Sequence, residues 1–171
     1  MQTQPDHTAT TAQLGRYEID TSSSAVTFRT RHLFGLAPVR GTFAIRSGTI
    51  DVAEPLAGST IHAEIEAASF HTGNPRRDST VRSARFLDAR QHPVMTFTCE
   101  RVAPDALGGM LTVGDITRPI SLKIVHYADA GRCFTARATT RIDRTEFGIT
   151  AARGLAARNL DLTVEAQCAR N

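Results

Sequence analysis

The residues able to do chemistry are dispersed along this chain of 171 residues. Its six histidines are His7, His32, His62, His71, His92 and His126, and no two have the spacing of a metal-ligating pair. Cys99, Cys133 and Cys168 form no CxxC and no Cys/His set with zinc spacing, so neither a structural nor a catalytic metal is expected. The chain has no GxSxG elbow, HExxH, P-loop or GxGxxG. Asp143 and Glu146, flanked by Arg141 and Arg144, read as a local ion-pair cluster more readily than as an acid/base couple. His62 falls on a polar strand face and His7 in a polar tail, both solvated positions. His71 and His92 border a helix and a Pro, where a polar role is more plausible. His126 is in phase with Ile120, Leu122 and Ile124, which makes it the one titratable group placed to serve an enclosed reaction chamber for a hydrophobic substrate.

The elements that must position these groups are mostly strands. From Arg16 onward, short β-prone runs alternate apolar and polar residues and are broken by turn signals. Val26 and Phe28 share a face in Ser24–Arg31; Val39, Phe43 and Ile45 share one in Val39–Arg46. A separate short run covers Gly48–Val52. Ile61, Ala63 and Ile65 oppose His62, Glu64 and Glu66 in Ser59–Ala68. Further strands are expected at Val94–Arg101, Met110–Gly114, Arg118–Tyr127, Arg132–Arg144 and Asn159–Cys168, with Gly108-Gly109 and Asp129-Ala-Gly131 as hairpin turns. One helix is expected near residues 75–90. Asn74 is its N-cap, Pro75 its first residue, Val81, Ala84 and Leu87 its apolar stripe, and Pro93 a stop beyond it. Residues 148–158 are Ala-rich and suggest a loop with a short helical turn. Eight or so antiparallel strands, each with one apolar face, build either a sandwich or a closed barrel, and alternation alone does not choose.

Composition narrows the function classes. Hydrophobic residues are 41% and charged residues 22%, ordinary for one globular domain, here residues 15–171 behind a disordered tail at 1–14. No apolar run approaches the roughly 18 residues of a membrane-spanning helix. Three Cys cannot make a disulfide scaffold. The net charge is +3, but 19 of the 20 basic residues are Arg and the few aromatics do not interleave with them, so no nucleic-acid partner is expected. The N-terminal stretch has neither a basic n-region nor an apolar h-region, from which a cytoplasmic location is expected.

Several motifs in one order resemble the YceI-like proteins, the lipocalin-like polyisoprenoid-binding family. They are Tyr17-Glu-Ile-Asp20 with Ser24-Ala-Val-Thr-Phe28; Phe70-His-Thr-Gly-Asn-Pro-Arg-Arg-Asp78 continuing through Val81-Arg-Ser-Ala-Arg-Phe-Leu-Asp88 to His92-Pro-Val-Met-Thr-Phe97; Gly109-Met-Leu-Thr-Val-Gly-Asp-Ile-Thr-Arg-Pro-Ile-Ser-Leu122; and Arg144-Thr-Glu-Phe-Gly148. Tyr17, Asp115 and Glu146 stand where many members carry Trp, Gly and Asp.

The resemblance implies an all-β fold: an extended eight-stranded antiparallel lipocalin-like barrel with a helical insertion near residues 75–90. It also implies binding, storage or transport of a long isoprenoid lipid, such as an isoprenoid quinone or a polyprenyl precursor, by a homodimer. No other cofactor is required. No integral membrane segment is expected, although transient membrane contact is compatible with such a role. In a barrel the inward set is Val26 and Phe28; Val39 and Phe43; Ile61 and Ile65; Met95 and Phe97; Leu111; Ile120, Leu122 and Ile124; Phe134 and Ile142; Leu162 and Val164. None of these ionises, which suits a hydrocarbon. At about 0.8 kcal/mol per buried methylene, two isoprene units contribute roughly 6–8 kcal/mol before ordering costs. The same residues would equally make a solid core. Phe70, Phe86 and Phe147 flank non-strand segments and are candidates for the entrance. Arg76, Arg77, Arg82, Arg85 and Arg90 read either as a polar rim meeting a head group or, more simply, as a solvated helix face with an exposed Asp78–Arg82 pair. Cys99 and Cys168 are in phase with the inward set and read as small core fillers.

Overall fold

The structure, a computed structural model, describes residues 12–32, 36–152 and 156–171, with the side chain of residue 32 left out. Among the described residues the chain forms β1 (Gly15–Ile19), β2 (Ala25–His32), β3 (Ala37–Val52), β4 (Thr60–Glu66), α1 (Pro75–Arg82), β5 (Val94–Val102), β6 (Ala106–Val113), β7 (Ile116–Asp129), β8 (Cys133–Asp143) and β9 (Asn159–Arg170). The order β3-β2-β9-β8-β7-β6-β5-β4 closes on itself through β3–β4, all antiparallel. Closure removes the sheet edges, as expected of a lipocalin-like barrel.

The ninth strand lies in line with another. β2 pairs with residues 37–44 of β3 and 161–165 of β9; β1 pairs with residues 49–52 of β3 and 168–170 of β9. β1 and β2 therefore share one lane, end to end. Ser24 patches the join, its hydroxyl accepting the Gln167 N–H at 2.9 Å. The two runs expected at Val39–Arg46 and Gly48–Val52 are one strand, carried past a register shift between Ile45 and Ser47. A Cβ on Gly48 would lie 2.3 Å from the Ile19 side chain, so the glycine there admits the close crossing of β1 and does not end a strand.

Gly108-Gly109 is likewise not a turn. Both residues lie inside β6, and the β6–β7 turn falls at Gly114-Asp115, where Gly114 has φ 60°. The Asp129–Gly131 turn forms as expected, with Gly131 at φ 83° donating its N–H to the Asp129 carboxylate at 2.7 Å. Helix α1 starts as read, Asn74 accepting the Arg77 N–H at 3.1 Å with Pro75 following it. It stops at Arg82 because Ser83 is extended, and residues 83–92 continue as turns. Residues 1–11 of the expected tail lie outside the described residues. Ala12 to Leu14 run against the barrel, where the Gln13 carbonyl accepts the Tyr17 hydroxyl at 2.9 Å.

Candidate ligand-binding cavity

Because side chains alternate across each strand, closing the sheet gathers one residue in two into the interior. That interior is hollow, with a cavity of about 810 Å³. All nineteen residues expected to face the ligand line it, the three non-strand phenylalanines included. The lining on β8 reads Phe134, Ala136, Ala138, Thr140 and Ile142. Eight residues of strand rise separate the first from the last, on the order of 26 Å. Small residues in the middle of that row leave room where Leu or Phe would fill it. The volume and the sparse polar lining are those of a site for a small, mostly apolar ligand.

At one end, Phe70 stacks on Phe28 with ring centroids 5.1 Å apart, and Phe43 packs edge-on against Phe70 at 5.5 Å. The Phe70 segment is held by α1. Arg82 donates to the Phe70 carbonyl, and the Asp78 carboxylate accepts both the N–H and the hydroxyl of Thr72. The exposed Asp78–Arg82 pair expected from spacing is thus replaced by two separate braces on one loop, with Asp78 only 3% exposed. Arg76, Arg85 and Arg90 are exposed, as a solvated face would be, whereas Arg77 reaches Thr72 at 2.9 Å and lines the cavity.

Arg144 closes the same end. It is 7% exposed, and its guanidinium donates to the carbonyls of Ala157, Ile149, Ala151 and Ala156 at 2.8–3.1 Å while lying 5.9 Å from the Phe86 ring centre. The cluster expected around Asp143 and Glu146 is dispersed. Asp143 pairs with Arg158, Arg141 pairs with Asp161 across β8–β9, and Glu146 is exposed. Arg158 and Thr145 hold the Asp143 carboxyl down to about 2.

At the other end Phe134 packs against Tyr17 and Tyr127, with centroids 4.9 and 5.5 Å away. Here the alternation read from sequence fails. His126 is not in phase with Ile124, because the pairing steps from Ile124↔Ala138 to His126↔Arg137 and leaves Val125 as an extra residue. The bulge turns His126 out to solvent and brings Tyr127 into the lining. The lining is therefore less purely apolar than the inward set: it includes Tyr127 and Asp129 at this end, Arg31 and Arg144 at the other, and Arg77 from α1. Arg144 lies two residues beyond Ile142, in phase with the inward set, whereas Arg31 follows Thr30 on the opposite phase. Nothing in the residue pattern announces the bulge.

Cys99 and Cys168 are buried and free, as fillers would be, and burial pushes the Cys168 thiol up to about 12. His71 lies 3.5 Å from Asp78 and His92 3.7 Å from Asp115. Among the described residues no group of His, Cys, Asp and Glu could hold a metal, and no helix is long and apolar enough to cross a membrane.

Residues 17–168 match the sequence profile of the YceI-like domain. Protein YceI of Escherichia coli is 30% identical over 164 residues, covering 88% of this chain and 85% of the relative. The Burkholderia cenocepacia protein BcnA has a similar structure, with TM-score 0.77 at 20% identity over 87% of this chain and 98% of its own. A polyisoprenoid binding domain from Saccharophagus degradans, implicated in plant cell wall breakdown, superposes with TM-score 0.73 at 15% identity, covering 93% and all of the respective chains.

Proposed function

The chain belongs to the YceI-like family, and from that premise we propose that its barrel binds, stores or carries a long-chain isoprenoid lipid, either an isoprenoid quinone or a polyprenyl precursor. The observation that carries this reading is the long hollow interior with its apolar wall. A hydrocarbon tail fits such a wall through methylene burial, each CH₂ contributing about 0.8 kcal/mol. The histidine that a reaction chamber required, His126, faces solvent. On this reading the protein is a carrier and not an enzyme, and the family resemblance extends the reading to a homodimer.

Native mass spectrometry after mild purification, with organic extraction of the bound material, tests both parts. The expected result is a dimer carrying an isoprenoid adduct. Added isoprenoid quinone should also raise the unfolding temperature, since a ligand at 100 times its Kd stabilises by about 2.7 kcal/mol. A homogeneous, ligand-free protein that gains no stability from the quinone overturns the reading.

A further inference from the structure

Unpaired positive charge and a bare leucine meet at the α1 end of the barrel. The β2–β3 turn lies there, and its Leu36, 82% exposed, is the most exposed large hydrophobic among the described residues. On the stem of the same hairpin Arg29 and Arg40 are exposed and stand directly opposite each other. Like charges so placed cost stability. The carboxylate beside them, Asp161, has both oxygens taken by Arg141, at 2.8 and 3.3 Å. Arg29 and Arg40 also border a polar groove of about 720 Å³ that His71 and Gly73 help to line. From His71, which bridges to Thr42, the α1 segment crosses this end of the barrel to His92, beside Asp115 in the β6–β7 turn. It carries the exposed Arg76, Arg85 and Arg90. None of these five arginines is in an ion pair among the described residues, whereas Arg16, Arg137 and Arg141 on the wall each are. Of the loop carboxylates at this end, Asp78 is buried and Asp143 pairs with Arg158, which leaves Asp88, Asp115 and Glu146. Loops at the opposite end carry Glu54 and Asp105 against Arg132.

We propose that the α1 end of the barrel docks on an anionic lipid bilayer, with Leu36 entering the acyl boundary and the five arginines meeting lipid phosphates. Apolar area immersed at the boundary and cations close behind it act together in holding a protein on such a surface. Arg40 lies four residues from Leu36, at most about 13 Å along the hairpin. Its guanidinium therefore stays at the level of the head groups, whose phosphates it can meet with paired N–H donors. Docking of this kind does not depend on what the barrel holds. With an isoprenoid inside, the aromatic end of the cavity faces the bilayer.

The test is co-sedimentation of the full chain with vesicles of equimolar phosphatidylglycerol and phosphatidylcholine, and with vesicles of phosphatidylcholine alone. Binding to a short DNA duplex is measured at the same salt. The wild type should bind the anionic vesicles, lose affinity as salt is raised, and leave the neutral vesicles unbound. Arg85→Glu with Arg90→Glu should lower the affinity by about tenfold or more. Leu36→Gln should lower it by about tenfold, and Leu36→Ile should retain it. Arg101→Glu with Arg132→Glu makes the same change in net charge at the opposite end, on exposed residues, and should leave binding unchanged. Thermal unfolding of each variant reports an intact barrel. A wild type that ignores the anionic vesicles, equal binding to neutral ones, equal losses from the reversals at the two ends, or no loss from Leu36→Gln overturns the assignment. DNA bound as tightly as the anionic vesicles, by the wild type and by Leu36→Gln alike, overturns it in favour of a polyanion site. Isoprenoid binding is measured separately, so the docking and the carrier reading fail independently.

Discussion

The carboxylate of Asp78 holds Thr72 by three hydrogen bonds: the Thr72 N–H lies 3.0 and 3.1 Å from its two oxygens, and the Thr72 hydroxyl donates to Oδ1 at 2.5 Å. Through this contact α1 fixes the segment whose Phe70 stacks on Phe28, so a buried charge on a short helix sets the aromatic end of the cavity.

Asp78→Asn should cost about 1–3 kcal/mol at neutral pH, because one oxygen becomes an amide with no acceptor to meet. Burial alone would raise the Asp78 carboxyl, but the Thr72 hydrogen bonds and the charges of His71 and Arg82 outweigh it and hold it below the ordinary value. Its contribution is therefore complete above the unfolded carboxyl value near 4 and is lost as pH falls through the lower folded value. Urea unfolding at pH 7 and pH 3 should show a flatter pH dependence for the variant. Equal slopes would count against the brace.

Arg144→Lys should cost about 3 kcal/mol and raise amide hydrogen exchange in residues 149–152. A point-like ammonium cannot span the four carbonyls that the planar guanidinium reaches. Wild-type protection in the lysine variant would show that the loop holds itself.

Two glycine substitutions separate packing from backbone strain. Gly109→Ala should cost about 1–3 kcal/mol, since its Cβ would lie 2.2 Å from the Thr98 carbonyl oxygen in the paired strand. Gly131→Ala meets nothing within 4 Å and carries only the cost of φ 83°, about 1 kcal/mol. The reverse order in thermal unfolding would contradict the β5–β6 packing.

Ala138→Phe tests the hollow interior itself. Ala138 lines the cavity midway along β8, next to Ile124 and Val164. In a filled core the added ring would destabilise by about 1–3 kcal/mol. Here ligand-free stability should change by less than about 1 kcal/mol, while affinity for an isoprenoid quinone falls tenfold or more. A large destabilisation with binding intact would place the free volume elsewhere.

Period-2 alternation was enough to find the inward set, because every strand has one apolar face and closure sends all of those faces to the same place. Whether the set encloses a ligand or packs on itself is not written in any residue. Ala136 and Ala138 would be equally at home in either case, and the outcome depends on how far apart closure holds the facing strands. Glycine misled once: Gly108-Gly109 carry the usual turn residue, but Gly109 answers a need for close approach at Thr98 that only tertiary neighbours impose. Asp78 and Arg82 are one helical turn apart and looked like partners, yet each is used by a different backbone group of the same loop.

The supernumerary residue at position 125 has a chemical consequence. One notch of β7 register decides whether the vessel's wall presents the His126 imidazole or a phenol that keeps its proton well into alkali. The imidazole is left outside with the solvent, and an aromatic ring takes its place in the wall.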